Sequence, residues 1–356
     1  MTQGKDRIVF CLGYPALQAP GRVQRLKDLD PRVEVVTLPV DPDSDWVTVP
    51  PKDPHQEPPP WASGVADERR RALEQAHVLF ALHTPEDLMR LAPRLRWVQG
   101  VGAGVEQFAK AGVPRDRVVV TNASGVSSGS MAEFVIGRLL QVWKRFREAD
   151  QHQSAHAYER IYGRTFAGAT LGIVGMGSIG RAVAVRARAF GVRVLGQTRS
   201  ASAAGDPGPA DELFGPDRLH AMLARCDAVV VAAPETPETF HLIDAAALAA
   251  MPAGCVLVNV ARGSLVDEAA LVASLRSGHL GAAALDVFEQ EPLPPESPLW
   301  ELPNVYVSAH SSVSVDRYLD DVFDLFVENA GRYLLGEALR NRVDMAVLGF
   351  RKEADS

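Results

Sequence analysis

Gly175-Met176-Gly177-Ser178-Ile179-Gly180 follows the apolar run Thr170–Val174 and leads into the helical pattern Arg181–Phe190. Glycines at this spacing between a strand and a helix suit one chemistry, the cradling of a pyrophosphate. The first allows a tight turn, the second lets the backbone approach the ligand, and the third lets helix and strand pack closely. Free N–H groups at the helix start then face the anion. Gly175, Gly177, Ser178, Ile179 and Gly180 are therefore candidate dinucleotide-binding residues. The next strand, Val192–Gln197, would be followed by an acid if the ribose carried free hydroxyls, as in NAD. It runs instead into Thr198-Arg199-Ser200, with no carboxylate before Asp206. A 2′-phosphate, carrying about two negative charges, would be held by Arg199 with the hydroxyls of Thr198 and Ser200. This favours NADP(H) over NAD(H). Three further segments could be joined by chemistry: Asn259-Val260-Ala261-Arg262-Gly263, Asp286 to Pro292, and Val307-Ser308-Ala309-His310.

Ala233-Pro234-Glu235-Thr236-Pro237-Glu238-Thr239, the run NVARGSLVDEAAL over 259–271 and the run ALDVFEQEPLP over 284–294 stand in order with the glycine fingerprint. In these motifs the chain resembles the D-isomer-specific 2-hydroxyacid dehydrogenases, of the glyoxylate/hydroxypyruvate reductase type. The resemblance extends over nearly the whole chain apart from a proline-rich stretch. It implies a catalytic set of Arg262, Glu291 and His310, and each residue type suits the role. Arginine is always charged and presents a fork of donors to the carbonyl and carboxylate of a 2-keto acid. Histidine titrates nearest the working pH and can protonate a developing alkoxide. A carboxylate beside the imidazole stabilises its protonated form.

The same resemblance places Ala233, Pro234, Thr239, Val260 and Ala261 on the cofactor and sets Asp286 against the nicotinamide amide. Trp97 to Glu106 looks like the family's substrate loop, with the main-chain N–H groups of Ala103 and Gly104 on the carboxylate and His83 facing the substrate. Glu289 is assigned to a solvated position. Two departures stand out: Ala309 where the family usually has proline, and Ser311 and Ser312 where glycines often follow. They are expected to reshape the loop without removing the acid. Formate dehydrogenases, relatives that need no proton donor, carry Gln at the position of Glu291. The implied reaction is NADPH-dependent reduction of a small 2-keto acid, glyoxylate or hydroxypyruvate, to its D-2-hydroxy acid. NAD-dependent oxidation of a D-2-hydroxy acid and a non-catalytic dinucleotide-sensing protein are the alternatives. A homodimer is implied as well.

The elements that must carry these residues follow from composition and pattern. The chain has 356 residues, 47% hydrophobic and 23% charged, the composition of an ordinary globular protein of about two domains. A net charge of −7 offers no general attraction to nucleic acid or anionic lipid. Cys11, Cys226 and Cys255 are odd in number and far apart, so neither a disulfide framework nor a metal site is indicated. No signal peptide or run of ~20 apolar residues is evident, which makes a cytoplasmic protein the expectation.

Strands are predicted at 7–12, 33–40, 77–82 and 95–99, with helices over 66–75 and from Thr84-Pro85. A long helix is predicted over about 130–149, and an amphipathic one from Leu319 to Leu334 with a stop at Gly336. Seven of the twenty residues 41–60 are proline, which predicts an irregular loop. Alternating strands and helices predict two doubly wound parallel-sheet α/β domains. A Rossmann dinucleotide-binding domain, 124–314, is inserted into a flavodoxin-like substrate domain made of 1–123 and 315–356. The active site is expected in a cleft that closes to exclude water.

Overall fold

Short β-branched runs alternate with helices to build two parallel sheets. The structure is a computed structural model that describes residues 7–38, 62–82, 84–85, 87–114, 116–199, 208–314 and 317–343. The predicted loop at 41–60, His83 and Ser200 lie outside the described residues.

The chain divides into two compact units. The terminal unit, Met1–Val126 with Val315–Ser356, contains β1 (Ile8–Leu12), α1 (Pro20–Lys27), β2 (Val33–Thr37), α2 (Ala62–Gln75), β3 (Val78–Ala81), α3 (Leu88–Leu91), β4 (Trp97–Gly100), α4 (Glu106–Lys110) and β5 (Val119–Thr121). The central unit, Ser127–Ser314, contains α5 (Ser128–Trp143), α6 (Phe146–Ser154), β6 (Thr170–Val174), α7 (Ser178–Ala189), β7 (Arg193–Gln197), β8 (Glu212–Phe214), α8 (Leu219–Leu223), β9 (Ala228–Val231), α9 (Ala245–Ala250), β10 (Cys255–Asn259), α10 (Glu268–Arg276), β11 (Leu280–Leu285) and β12 (Val305–Val307). The last helix, α11 (Tyr318–Leu335), returns to the terminal unit. The first junction falls three residues later than the expected boundary at 123.

The terminal sheet has the order β2-β1-β3-β4-β5, the doubly wound order of flavodoxin-like folds. The central sheet has the order β12-β11-β10-β9-β6-β7-β8 and reverses direction between β6 and β9. Every strand pair is parallel. All C-terminal strand ends of a sheet therefore lie along one edge. Each unit has its own core. The apolar stripe of α11 buries Val322, Phe323, Phe326 and Ala330. Phe326 lies 4.2 Å from Phe80 and 5.2 Å from Trp97 between ring centroids. Gly336, at φ +72, ends α11 in the left-handed conformation that glycine adopts without strain.

Two local expectations need correction. The helix expected from Thr84-Pro85 begins at Leu88, because the Leu88 N–H closes a turn onto the Pro85 carbonyl. The helix expected over 130–149 is two helices, α5 and α6, broken at Arg145, whose φ is +57. The cause is not local: the Trp143 carbonyl accepts the Arg164 N–H at 2.7 Å. A Cβ on Gly163 would stand 2.5 Å from that same oxygen, so the returning segment crosses where the helix would have continued.

Candidate active site

Six turns of the central unit follow β6, β7, β9, β10, β11 and β12, all at the C-terminal edge of one parallel sheet. They carry every described cofactor and catalytic candidate of this unit. The switch point between β6 and β9 is where open α/β sheets bind ligands.

The glycine turn sits at that switch point, and its three glycines differ. Gly175 has φ +100, and a Cβ there would lie 2.5 Å from the Ala233 nitrogen. A Cβ on Gly180 would overlap the Gly175 carbonyl. The chain's own packing thus explains both. Gly177 has an ordinary φ of −75, and among the described residues no atom beyond its own stretch of chain lies within 4 Å of its Cβ position. The space is open beside the start of α7, whose first N–H groups have no helical acceptor. Exposed Gly177 and Ser178 with half-buried Ile179 fit a pyrophosphate there.

Around this turn, Ala233, Val260 and Ala261 are buried. The Thr239 hydroxyl bonds the Pro234 carbonyl at 2.8 Å and receives the Thr236 N–H at 2.7 Å, folding the 234–239 turn. Thr198 and Arg199 follow β7, with Arg199 exposed. Glu238 is held below its usual carboxyl range, first by its bond with Thr236 and also by the Arg199 charge.

Arg262 ends the turn after β10. Asn259 fastens that turn, accepting the Ala261 N–H at 3.0 Å and donating to the Arg262 carbonyl at 2.9 Å. The Arg262 guanidinium bonds the Ala261 carbonyl at 2.7 Å. The neighbouring Gly263 has no room for a side chain: a Cβ would overlap the Phe288 carbonyl carbon. The Arg262 turn and the Glu291 turn are therefore in backbone contact.

Glu291 and His310, after β11 and β12, are brought together by the fold. His310 Nδ1 lies 2.9 Å from Glu291 Oε2, while Oε1 accepts the Phe288 N–H at 3.1 Å. No hydrogen bond from His310 Nε2 is formed among the described residues. His310 has φ +48, a strained conformation that persists only where surrounding contacts enforce it.

Asp286 supplies those contacts. Its carboxylate is 1% exposed and accepts the Ser308 hydroxyl at 2.7 Å and the N–H groups of Ser311 and Ser312 at 2.9 and 3.1 Å. Its carbonyl accepts the His310 N–H at 2.8 Å. Burial alone would raise this carboxyl, but the bonds from Ser312, Ser308 and the two backbone N–H groups outweigh it and hold it below its ordinary value. Asp286 thus anchors the histidine loop, and Ser311 and Ser312 are held by it. Glu289 is exposed as expected, yet it pairs with His241 Nε2 at 2.8 Å and accepts the Glu268 N–H at 3.2 Å.

In the terminal unit, Ala103 and Gly104 lie on the loop after β4. Ala103 is exposed, and the N–H groups of Gly102, Ala103 and Gly104 have no acceptor among the described residues. Sequence reasoning missed the residues behind that loop, Asn122 and Tyr318, and the anchoring role of Asp286. Their contacts span distant segments.

Residues 136–312 match the family profile "D-isomer specific 2-hydroxyacid dehydrogenase, NAD binding domain". The chain is 37% identical over 261 residues to a D-3-phosphoglycerate dehydrogenase of Mycobacterium leprae, covering 73% of this chain and 49% of that one. It spans about half the length of that relative. It is 33% identical over 310 residues to a glyoxylate reductase of Aeropyrum pernix, covering 83% of this chain and 90% of the relative. The crystal structure of a D-isomer specific 2-hydroxyacid dehydrogenase from Xanthobacter autotrophicus Py2, in complex with NADPH and MES, superposes with a TM-score of 0.75 at 31% identity, over 96% of this chain and 98% of that one. By motif order, sheet topology and these likenesses, the chain belongs to the D-isomer-specific 2-hydroxyacid dehydrogenase family.

Proposed function

We propose that the protein reduces a small 2-keto acid of the glyoxylate or hydroxypyruvate type to its D-2-hydroxy acid with NADPH. The observation that carries this reading is the His310–Glu291 pair, with Nδ1 engaged and Nε2 left open. The bound dinucleotide supplies the hydride. Protonated His310 gives its Nε2 proton to the developing alkoxide, and Glu291 holds the ring by Nδ1 and stabilises the imidazolium. Arg262 holds the substrate and polarises its keto oxygen. The Ala103 and Gly104 N–H groups receive the substrate carboxylate.

The preference for NADP(H) over NAD(H) rests on Arg199 and the lack of an acid directly after β7, and it is supported by the NADPH bound in the Xanthobacter structure. Replacing Arg199 with Ala is expected to raise the KM for NADPH about 10- to 100-fold and leave NADH nearly unaffected. Equal effects on both cofactors would reject the preference. The glyoxylate reductase likeness supports the substrate class. Likeness to phosphoglycerate dehydrogenase favours a second reading, oxidation of a D-2-hydroxy acid. Rates of NADPH and NADH oxidation with glyoxylate, hydroxypyruvate, pyruvate and phenylpyruvate separate these readings. Cofactor binding without turnover would favour the sensing alternative.

A homodimer through the central unit is part of this proposal. Phe146, Tyr158 and Tyr162 are exposed there, Tyr158 fully. Glu148 Oε2 and His152 Nδ1 are buried without a hydrogen-bond partner among the described residues. Three buried free thiols suit a reducing, cytoplasmic setting. Among the described residues no helix is long and apolar enough to cross a membrane.

A further inference from the structure

The last carbonyl of β4 and the first three of the loop after it are held from within the terminal unit. Gln99 Nε2 donates to the Gly100 carbonyl at 2.9 Å, and Tyr318 Oη to that of Val101 at 2.6 Å. The Ala123 N–H donates to the Gly102 carbonyl at 2.9 Å, and Asn122 Nδ2 to that of Ala103 at 2.7 Å. A trans peptide is planar, so its C=O and the following N–H point in opposite directions. The peptide of Gly100 turns the Val101 N–H onto the Ala81 carbonyl at 3.1 Å, and each of the other three carbonyls turns an N–H outward. Tyr318 turns out the N–H of Gly102, Ala123 that of Ala103, and Asn122 that of Gly104.

Two of these donors, Tyr318 and Asn122, are side chains outside the loop. Burial, with a smaller contribution from Tyr14, pushes the Tyr318 hydroxyl up to about 12, so it stays a donor. Asn122 is itself locked. Its Oδ1 accepts the Ser124 N–H at 3.1 Å and its N–H bonds the Asn341 carbonyl at 3.2 Å. Asn341 Nδ2 then donates to the carbonyls of Asn122 at 3.2 Å and Ser124 at 2.7 Å. Asn341 sits at φ +54, a conformation that asparagine tolerates better than most residues. Beyond α11 the chain thus returns to brace the loop, 219 residues away from Asn122 in sequence.

We propose that Asn122, braced by Asn341, is a positioning residue for substrate: it aims the Gly104 N–H at the substrate carboxylate. The inference rests on the reading of this loop as the carboxylate site. Asn122→Asp keeps the acceptor for Ser124 and removes the donor to Ala103, but it also adds a negative charge there. Asn341→Gly keeps the left-handed backbone, adds no charge, and removes the brace, so it serves if the first variant folds poorly.

The test is steady-state kinetics on the 2-keto acid turned over fastest among glyoxylate, hydroxypyruvate, pyruvate and phenylpyruvate, beside the amide of the same acid. Dinucleotide affinity is titrated and thermal unfolding recorded in parallel. The wild type should prefer the acid strongly. Both variants should raise the KM for the acid about three- to tenfold with kcat within about twofold. The KM for the amide and the affinity for NADPH should not move. A wild type that prefers the acid, with variants whose acid KM is unchanged, overturns the positioning role and leaves the site reading standing. Equal rises for acid and amide, or loss of kcat in step with thermal stability, overturn it as well. A wild type that does not distinguish acid from amide, or that turns over none of the four acids, overturns the site reading and the inference with it.

Discussion

Among its described residues the central unit contains two histidine–glutamate pairs of nearly the same spacing. His310 lies 2.9 Å from Glu291 and His241 2.8 Å from Glu289, and both histidines have φ +48. What differs is the ring nitrogen each pair consumes. His310 is held by Nδ1, with its loop backbone anchored on Asp286, so Nε2 is open. His241 is held by Nε2, its ring stacks on Phe240 at 3.9 Å, and its N–H bonds the Ser264 carbonyl. Glu289 also accepts the Glu268 N–H and returns its own N–H to the Glu268 carboxylate. Burial, and then the Glu289 charge, raise the Glu268 carboxyl. One pair leaves Nε2 open, as the proposed proton transfer requires, and the other ties together the turns at 241, 264, 268 and 289. Residue type and pairing do not distinguish the proposed acid from a brace; the two pairs differ in which ring nitrogen each leaves open, Nε2 in His310 and Nδ1 in His241.

The largest expected contrast is at the histidines. His310→Ala should lower reductive kcat/KM by about 10²- to 10⁴-fold, the usual span for loss of a general acid. His241→Ala should leave the rate within about threefold and cost ~0.2–1 kcal/mol of stability, as for an exposed ion pair. Similar rate losses from both would erase the distinction.

A smaller contrast is expected at the acids. Glu291→Gln should lower reductive activity about tenfold or more, increasingly so as pH rises, because the imidazolium loses its counter-charge. Glu289→Gln should act instead on the melting temperature, by about 2–4 °C, with little change in the pH–rate profile.

Asp286 sharpens the comparison through pH. Its carboxyl is depressed in the folded protein, so the stability it contributes is fully present above its ordinary value of 3.8 and is lost as pH falls through the lower folded value. Asp286→Asn should therefore unfold more easily than wild type at neutral pH, and denaturant titrations of the two should converge below about pH 4. A difference that stays constant down to pH 2 would show that the anchor does not act through its charge.

The glycine turn was legible in the sequence because strand, turn and helix are contiguous, although the close contact that Gly175 makes with Ala233 was not. The alternating pattern also carried the two parallel sheets, and the helical spacing of Leu319 to Leu334 carried α11 to its stop at Gly336. The break between α5 and α6 was not legible: residues 143–146 look helical until Gly163 and Arg164 cross behind Trp143. Nor was the part played by Glu289, which as a sequence letter is a solvated acid two positions from the one that pairs with His310. The serines at 311 and 312 read as departures from a glycine-rich loop. Their N–H groups on Asp286 account for how the loop holds its shape.

Residue types, their spacing and their short-range turns were determined by the sequence alone, because contacts within a few positions need no knowledge of the fold. Contacts between distant segments were decided only in three dimensions. His310 meets Glu291 across 19 positions, His241 meets Glu289 across 48, and Asn122 meets Asn341 across 219. Parallel strand order brings the two histidine–glutamate pairs to one edge of the central sheet, and in the terminal unit an antiparallel bridge between Thr121 and Arg342 brings Asn341 to Asn122; there the hydrogen bonds choose which ring nitrogen stays free and which backbone N–H groups face outward.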